Sequence, residues 1–221
     1  MNNDMTAIRD KIMLATLDQV PFDGVSNRSL KDGVSSAGYK PSMSLRAFPG
    51  GVRDLVEHFS DWSNRQMLIE AEKLDLSKTG IREKIHAHIK ARFKIYTPHK
   101  EAVRRLSSWL VLPQNAGLAT NLTWNVSSTI WYAVGDTSSD WNYYSKRALL
   151  AAALSATLLY WLSDEGNEES DYPETWAFLD RRLNGIVQTF GAGKKLGDLL
   201  GGALNGAREC YGRMGGIGRR T

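Results

Sequence analysis

Apolar residues in this chain return every three or four positions and almost nowhere at every second one. Met5, Ile8, Ile12 and Ala15 share one face of a first helix. Ile81, Ile85, Ile89 and Phe93 repeat at intervals of four, Val103, Leu106 and Leu110 follow, and Trp176, Leu179, Leu183, Ile186 and Phe190 close the series. This spacing lines side chains along one stripe of a 3.6-residue helix, whereas a half-buried strand needs strict alternation. Glycine and proline punctuate the pattern at Pro21, Gly24, Gly38, Pro49-Gly50-Gly51, Gly80, Pro98, Pro113 and Gly135. The chain is therefore expected to be all-α, with nine helices between these breaks. Gly38 is placed as the left-handed residue after the second helix. Asp140 should cap the eighth helix, and Asp171 with Glu174 a ninth that has Pro173 in its first turn.

Several function classes fall away on composition. The single Cys210 excludes an internal disulfide and any multi-thiolate metal centre. The longest apolar run, Ala148 to Leu162, is 15 residues, short of the roughly 20 needed to span a bilayer, and reads as a core helix. The opening "MNNDMTAIRD" carries neither a signal-peptide nor a transit pattern, which predicts a cytosolic chain. His86 and His88 are two apart and diverge on a helix. "EKIH", Glu83 to His86, has the Glu-x-x-His spacing of di-iron bundles but no second copy. The histidines are accordingly assigned to solvated helix faces and no metal is expected. "GAGKK" lacks the first glycine, the Ser/Thr and the preceding strand of a phosphate loop. No catalytic residue and no cofactor are predicted, and the chain is read as a non-enzyme.

Charge is concentrated at the C-terminal end. Between Gly191 and Thr221 stand Lys194, Lys195, Arg208, Arg213, Arg219 and Arg220 against Asp198 and Glu209, which accounts for the whole formal charge of +4. On a helical wheel Leu196, Leu199, Leu200, Ala203, Leu204, Ala207, Tyr211 and Met214 form one apolar stripe. The same segment holds Gly197, Gly201, Gly202 and Gly206, each costing about 0.8–1 kcal/mol in a helix relative to Ala. Such a segment needs a surface on which to bury its leucines, whether the protein's own body, another subunit or an anionic membrane. A basic amphipathic face suits an anionic bilayer, so Lys194, Lys195, Leu196, Leu199, Leu200, Leu204 and Arg208 are the expected membrane-binding residues.

The first sixty residues, with "SLKDGVSSAGYKPSMSLRAFPGGVRDLVEHF", resemble the helix-turn-helix lobe of TetR-type regulators. A working recognition lobe carries a basic face for phosphates. Here Arg9, Lys11, Arg28, Lys31, Lys40, Arg46 and Arg53 are matched one for one by Asp4, Asp10, Asp18, Asp23, Asp32, Asp54 and Glu57. A degenerate lobe over 1–60 that binds no nucleic acid is expected, with a lipid-sensing TetR-like transcriptional regulator as the alternative. A larger helical lobe should fill 61–190, and the basic amphipathic tail 191–221.

Eight of the fifteen Trp and Tyr residues lie between Trp124 and Trp161. Trp131 and Tyr132 project about 100° apart on a helix, so one of them must face a cavity wall or the surface. The stretch "WYAVGDTSSDWNYYSKRALLAA" followed by "ETWAFLDRR" resembles the ubiquinone (coenzyme Q) biosynthesis accessory family, the ninth of the named coenzyme Q proteins. The matching positions are Trp131, Gly135, Asp136, Ser139, Asp140, Trp141, Tyr144, Arg147, Thr175, Trp176, Phe178, Leu179 and Arg182. The resemblance implies a TetR-like all-α homodimer that binds a lipid or isoprenoid quinone intermediate in its larger lobe. It also implies docking on the di-iron demethoxyubiquinone hydroxylase through an exposed patch, which maps to Trp131, Tyr132 and Asp136. Leu149, Leu150, Leu158 and Leu159 are expected at the lipid cavity. Because the family's eukaryotic members carry a mitochondrial presequence, a bacterial member is expected, in the cytoplasm and peripheral to the inner membrane.

Overall fold

The computed structural model describes residues 2–137, 141–166 and 171–186. The expected membrane-binding residues Lys194, Lys195, Leu196, Leu199, Leu200, Leu204 and Arg208 lie outside this range, as do Ser139 and Asp140. Helices run α1 (Asn2–Asp23), α2 (Asn27–Ser36), α3 (Met43–Ala47), α4 (Val52–Glu72), α5 (Ile81–Tyr96), α6 (Lys100–Leu110), α7 (Ala116–Ala133) and α8 (Trp141–Ser163). A further helix, α9, spans 173–186. No strand occurs among the described residues.

The first three helices form a small lobe. Ser26 caps α2, accepting from the Ser29 N–H at 3.2 Å while the Ser29 hydroxyl receives the Ser26 N–H. Gly38 then takes φ +82°, and the N–H groups of Gly38 and Tyr39 bond to the carbonyls of Ser35 and Val34, closing the helix as its sequence predicts. Gly33 lies so close to α1 that a Cβ would stand 2.7 Å from the Cα of Thr16. The helix at the recognition position, α3, is five residues long, and its basic residue is Arg46. Between Gly50-Gly51 and α4 the chain turns through Gly51 at φ +68°, and the Asn27 side chain receives the Val52 N–H at 2.9 Å. The long α4 carries the chain from this lobe into a bundle of α4 to α9.

Three expectations are corrected by the fold. Pro21 does not break α1, which continues through it to Asp23 and stops at Gly24, φ +70°. In a last turn, proline removes one bond that little depends on. Asp171 is not the cap of α9. Asp171 and Tyr172 both take left-handed backbone angles, φ 50° and 47°, so the Tyr172 carbonyl receives the Trp176 N–H and the Asp171 carboxylate turns to Lys90. Finally, His58 and His88 are buried rather than solvated. His58 Nε2 meets Asp10 Oδ1 at 2.6 Å across α1 and α4, and His88 Nδ1 meets the Lys84 carbonyl at 2.7 Å.

Candidate functional site

The Gly-Asp corner after α7 and a partly open cavity between the helices are two features that could carry function, and a wider cleft of about 820 Å³ lies among Leu74, His86, Lys90, Tyr172 and Trp176. At the corner the chain closes α7 with a Schellman motif. Gly135 has φ +85°, its N–H donates to the Tyr132 carbonyl at 3.0 Å, and the Asp136 N–H donates to the Trp131 carbonyl at 2.9 Å. The turn aims Asp136 at α8, where Oδ1 receives Lys146 Nζ at 2.7 Å and Oδ2 receives Arg147 Nη1 at 3.4 Å. The Arg147 guanidinium, fully buried, lies 3.5 Å from the centroid of the Tyr143 ring and 4.8 Å from that of Tyr132. Ser127 on α7 donates to the Arg147 carbonyl at 2.8 Å. A charged pair taken this far from water persists only where further partners surround it. The corner is thus a clamp that fixes α7 against α8.

This geometry corrects the expectation of an exposed patch centred on Trp131. Trp131 is 5% exposed, its Nε1 donates to the Lys146 carbonyl at 3.1 Å, and the Lys146 ammonium lies 5.3 Å over its ring. The Asp136 carboxylate is likewise enclosed. Tyr132, one position on and turned by about 100°, is 60% exposed, as is Tyr144. Trp124 stacks on Tyr144 with centroids 6.2 Å apart. The Tyr132 and Tyr143 hydroxyls meet at 3.3 Å, a bond that, ahead of desolvation, raises the Tyr143 phenol above its ordinary range. The outward surface here is an aromatic one built from Tyr132, Tyr144 and Trp124, supported from beneath by Trp131 and Asp136.

The cavity lies between α4, α5, α6, α7 and α8 and has a volume of about 120 Å³. Phe59, Phe93, Leu106, Leu122, Val126 and Leu154 supply most of its apolar wall, with Ser60, Ser107 and Ser155 as hydroxyl-bearing positions. Arg92 and Tyr96 on α5 also face it. Of the four leucines expected here, Leu158 lines the cavity. Leu150 is buried in the core, and Leu149 and Leu159 face outward. The reason is helical phase. Leu150, Leu154 and Leu158 follow one another at intervals of four, while Leu149 and Leu159 stand a full residue off that stripe. The spacing was in the sequence at Leu154, but the walls from α4 to α7 come from distant segments with no local signal. Among the described residues no group of three His, Cys, Asp or Glu could hold a metal ion, and no helix is long and apolar enough to cross a membrane.

Comparison with known proteins bears on both features. The sequence profile of COQ9 matches residues 116–190, which contain α7, the corner, α8 and α9. The curated "Ubiquinone biosynthesis protein COQ9, mitochondrial" of Rattus norvegicus is 28% identical over 224 residues, covering 96% of this chain and 70% of that protein. The human protein of the same name is 27% identical, covering 96% and 69%. The Drosophila melanogaster protein is 33% identical over 187 residues, covering 82% and 56%. Over nearly its whole length the chain is similar to COQ9 proteins. The similarity supports a role in ubiquinone biosynthesis. Among solved structures, a TetR transcriptional regulator from Nitrosomonas europaea superposes with TM-score 0.65 at 16% identity, covering 82% of this chain and 99% of the other. At that identity the likeness concerns the fold, which is TetR-like. The COQ9 profile begins at the start of α7 and spans the aromatic corner, so the matched pattern includes the α7–α8 clamp.

Proposed function

We propose that this COQ9-like chain is a non-enzymatic carrier that takes the ring end of an isoprenoid quinone intermediate into the α4–α8 cavity and presents it to the di-iron demethoxyubiquinone hydroxylase. The observation that carries this reading is the cavity itself, apolar on most of its wall with a few hydroxyls and one guanidinium. A dry cavity of about 150 Å³ holds one benzene ring, so about 120 Å³ is the scale of one ring rather than of a polyprenyl tail. Leaving a tail in water costs about 0.8 kcal/mol per exposed CH₂, and the tail therefore belongs on a second apolar surface. The bilayer is that surface. The leucine stripe and cations of residues 191–221 would hold the protein there, at the cytoplasmic face of a bacterial inner membrane. In the same reading the chain works as a homodimer, and Tyr132, Tyr144 and Trp124 form the face that meets the hydroxylase.

The experiment is extraction and mass spectrometry of the full chain purified from quinone-producing cells, together with flotation on anionic vesicles. An isoprenoid benzoquinone or its precursor in the extract, with flotation that high salt reverses, is the expected result. Protein that carries no isoprenoid and stays at the bottom of the gradient would overturn the proposal.

A further inference from the structure

The cavity wall contains one group that an apolar pocket does not need. Arg92 is only 4% exposed and lines the cavity. Its Nε donates to the Tyr96 hydroxyl at 2.7 Å and its Nη1 to Asn64 Oδ1 at 2.6 Å. Both partners are neutral, and no carboxylate among the described residues stands within ion-pair distance of it. A guanidinium has five N–H donors, and these two bonds use two of them. Arg147, the other enclosed arginine described above, has Asp136 as a counter-charge, whereas Arg92 has only neutral partners and the Tyr96 ring, whose centroid lies 5.2 Å from its Cζ. Burying a guanidinium without a counter-charge is unfavourable unless something else takes up its donors. Met or Leu would fill the same volume at no such cost.

We infer that Arg92 is the anchor for the polar end of the cavity's occupant: its remaining N–H donors take an oxygen acceptor carried by an otherwise apolar molecule. The guanidinium's planar fork sets the direction of approach, and its bonds to Asn64 and Tyr96 fix that fork before anything binds. Tyr96 lines the cavity beside it and can supply a second polar contact. The inference rests on the cavity being a ligand site. It adds that the site discriminates by the oxygen on the head and not by apolar volume alone.

The acceptor could be the carbonyl of a ring or the carboxylate of an acyl chain, and calorimetric titration of the full chain separates them. Three probes are used: a benzoquinone bearing one isoprene unit, decanoate, and an alkylbenzene of similar size with no oxygen. A hydrogen bond from a charged donor is expected to change affinity about ten- to hundredfold. Arg92→Met should therefore weaken an oxygen-bearing probe by at least tenfold and leave the alkylbenzene within twofold, while Arg92→Lys retains part of the affinity. If the quinone shows this dependence, the anchor and the quinone-carrier reading both stand. If decanoate alone shows it, the anchor stands and the quinone reading falls. Equal losses for all three probes, or no loss for either oxygen-bearing one, overturn the anchor. Wild-type protein that binds none of the three overturns both. Should Arg92→Met fail to fold, the wild type still decides, because an oxygen-bearing probe must outbind the alkylbenzene by tenfold or more.

Discussion

Trp131 and Tyr132 are adjacent in sequence and opposite in consequence. Trp131 is wedged between α7 and α8 with its Nε1 bonded to a backbone carbonyl, so Trp131→Ala is expected to cost about 3–5 kcal/mol, the usual range for emptying a buried aromatic site. Tyr132 is largely exposed and holds only its place over Arg147 and a bond to Tyr143, so Tyr132→Ala should cost about 1 kcal/mol or less. Urea denaturation of the two variants reads this difference directly. Co-purification with the hydroxylase should fall for Tyr132→Ala while its stability stays near wild type. A Tyr132→Ala protein that co-purifies unchanged would remove Tyr132 from the docking face.

At the scale of the helices, three glycines that look alike in sequence do different work. Gly135 needs its left-handed φ, but a Cβ there would meet nothing within 4 Å, so Gly135→Ala is expected to cost about 1–2 kcal/mol from backbone strain alone. Gly33 has room for helical angles but none for a side chain, because Thr16 Oγ1 would stand 2.1 Å from the new methyl. Gly33→Ala should therefore lose about 1–3 kcal/mol by forcing α1 and α2 apart, against the gain of up to about 1 kcal/mol that alanine brings to a helix. Gly117 near the start of α7 has neither constraint, and Gly117→Ala should be neutral or stabilising by up to about 1 kcal/mol. Thermal midpoints should lie below wild type for Gly33→Ala and Gly135→Ala and at or above it for Gly117→Ala. The same scale explains α9. Its apolar stripe was legible, but its cap was not, because the Lys90 side chain that claims Asp171 comes from a helix some eighty residues earlier.

For the whole molecule, the partly enclosed histidines link packing to pH. His58, His86 and His99 all have pKa values below the ordinary 6.5, chiefly through desolvation. The Asp10 carboxylate beside His58 acts in the opposite sense, raising its pKa, but burial and the nearby Arg9 outweigh it. The unfolded chain thus binds protons that the folded one resists. Stability is fully present above pH 6.5 and declines as the pH falls from there toward the depressed folded-state values. Urea midpoints should drop between pH 7.5 and pH 5.5, and a flat profile over that interval would mean these rings are more hydrated than the fold implies.

The sequence by itself determined the class of this protein. A three-to-four-residue apolar period calls for helices, Gly38 marks a left-handed exit, and the Trp–Gly-Asp–Tyr-x-x-Arg run carries the COQ9 pattern. Those are local properties, written in neighbours that stay neighbours after folding. The tertiary structure alone decided which rings face inward, which leucines reach the cavity, and that the unpaired cation Arg92 looks into it. Each of those depends on where helices from α4 to α8 come to rest against one another, and no stretch of contiguous residues contains that information.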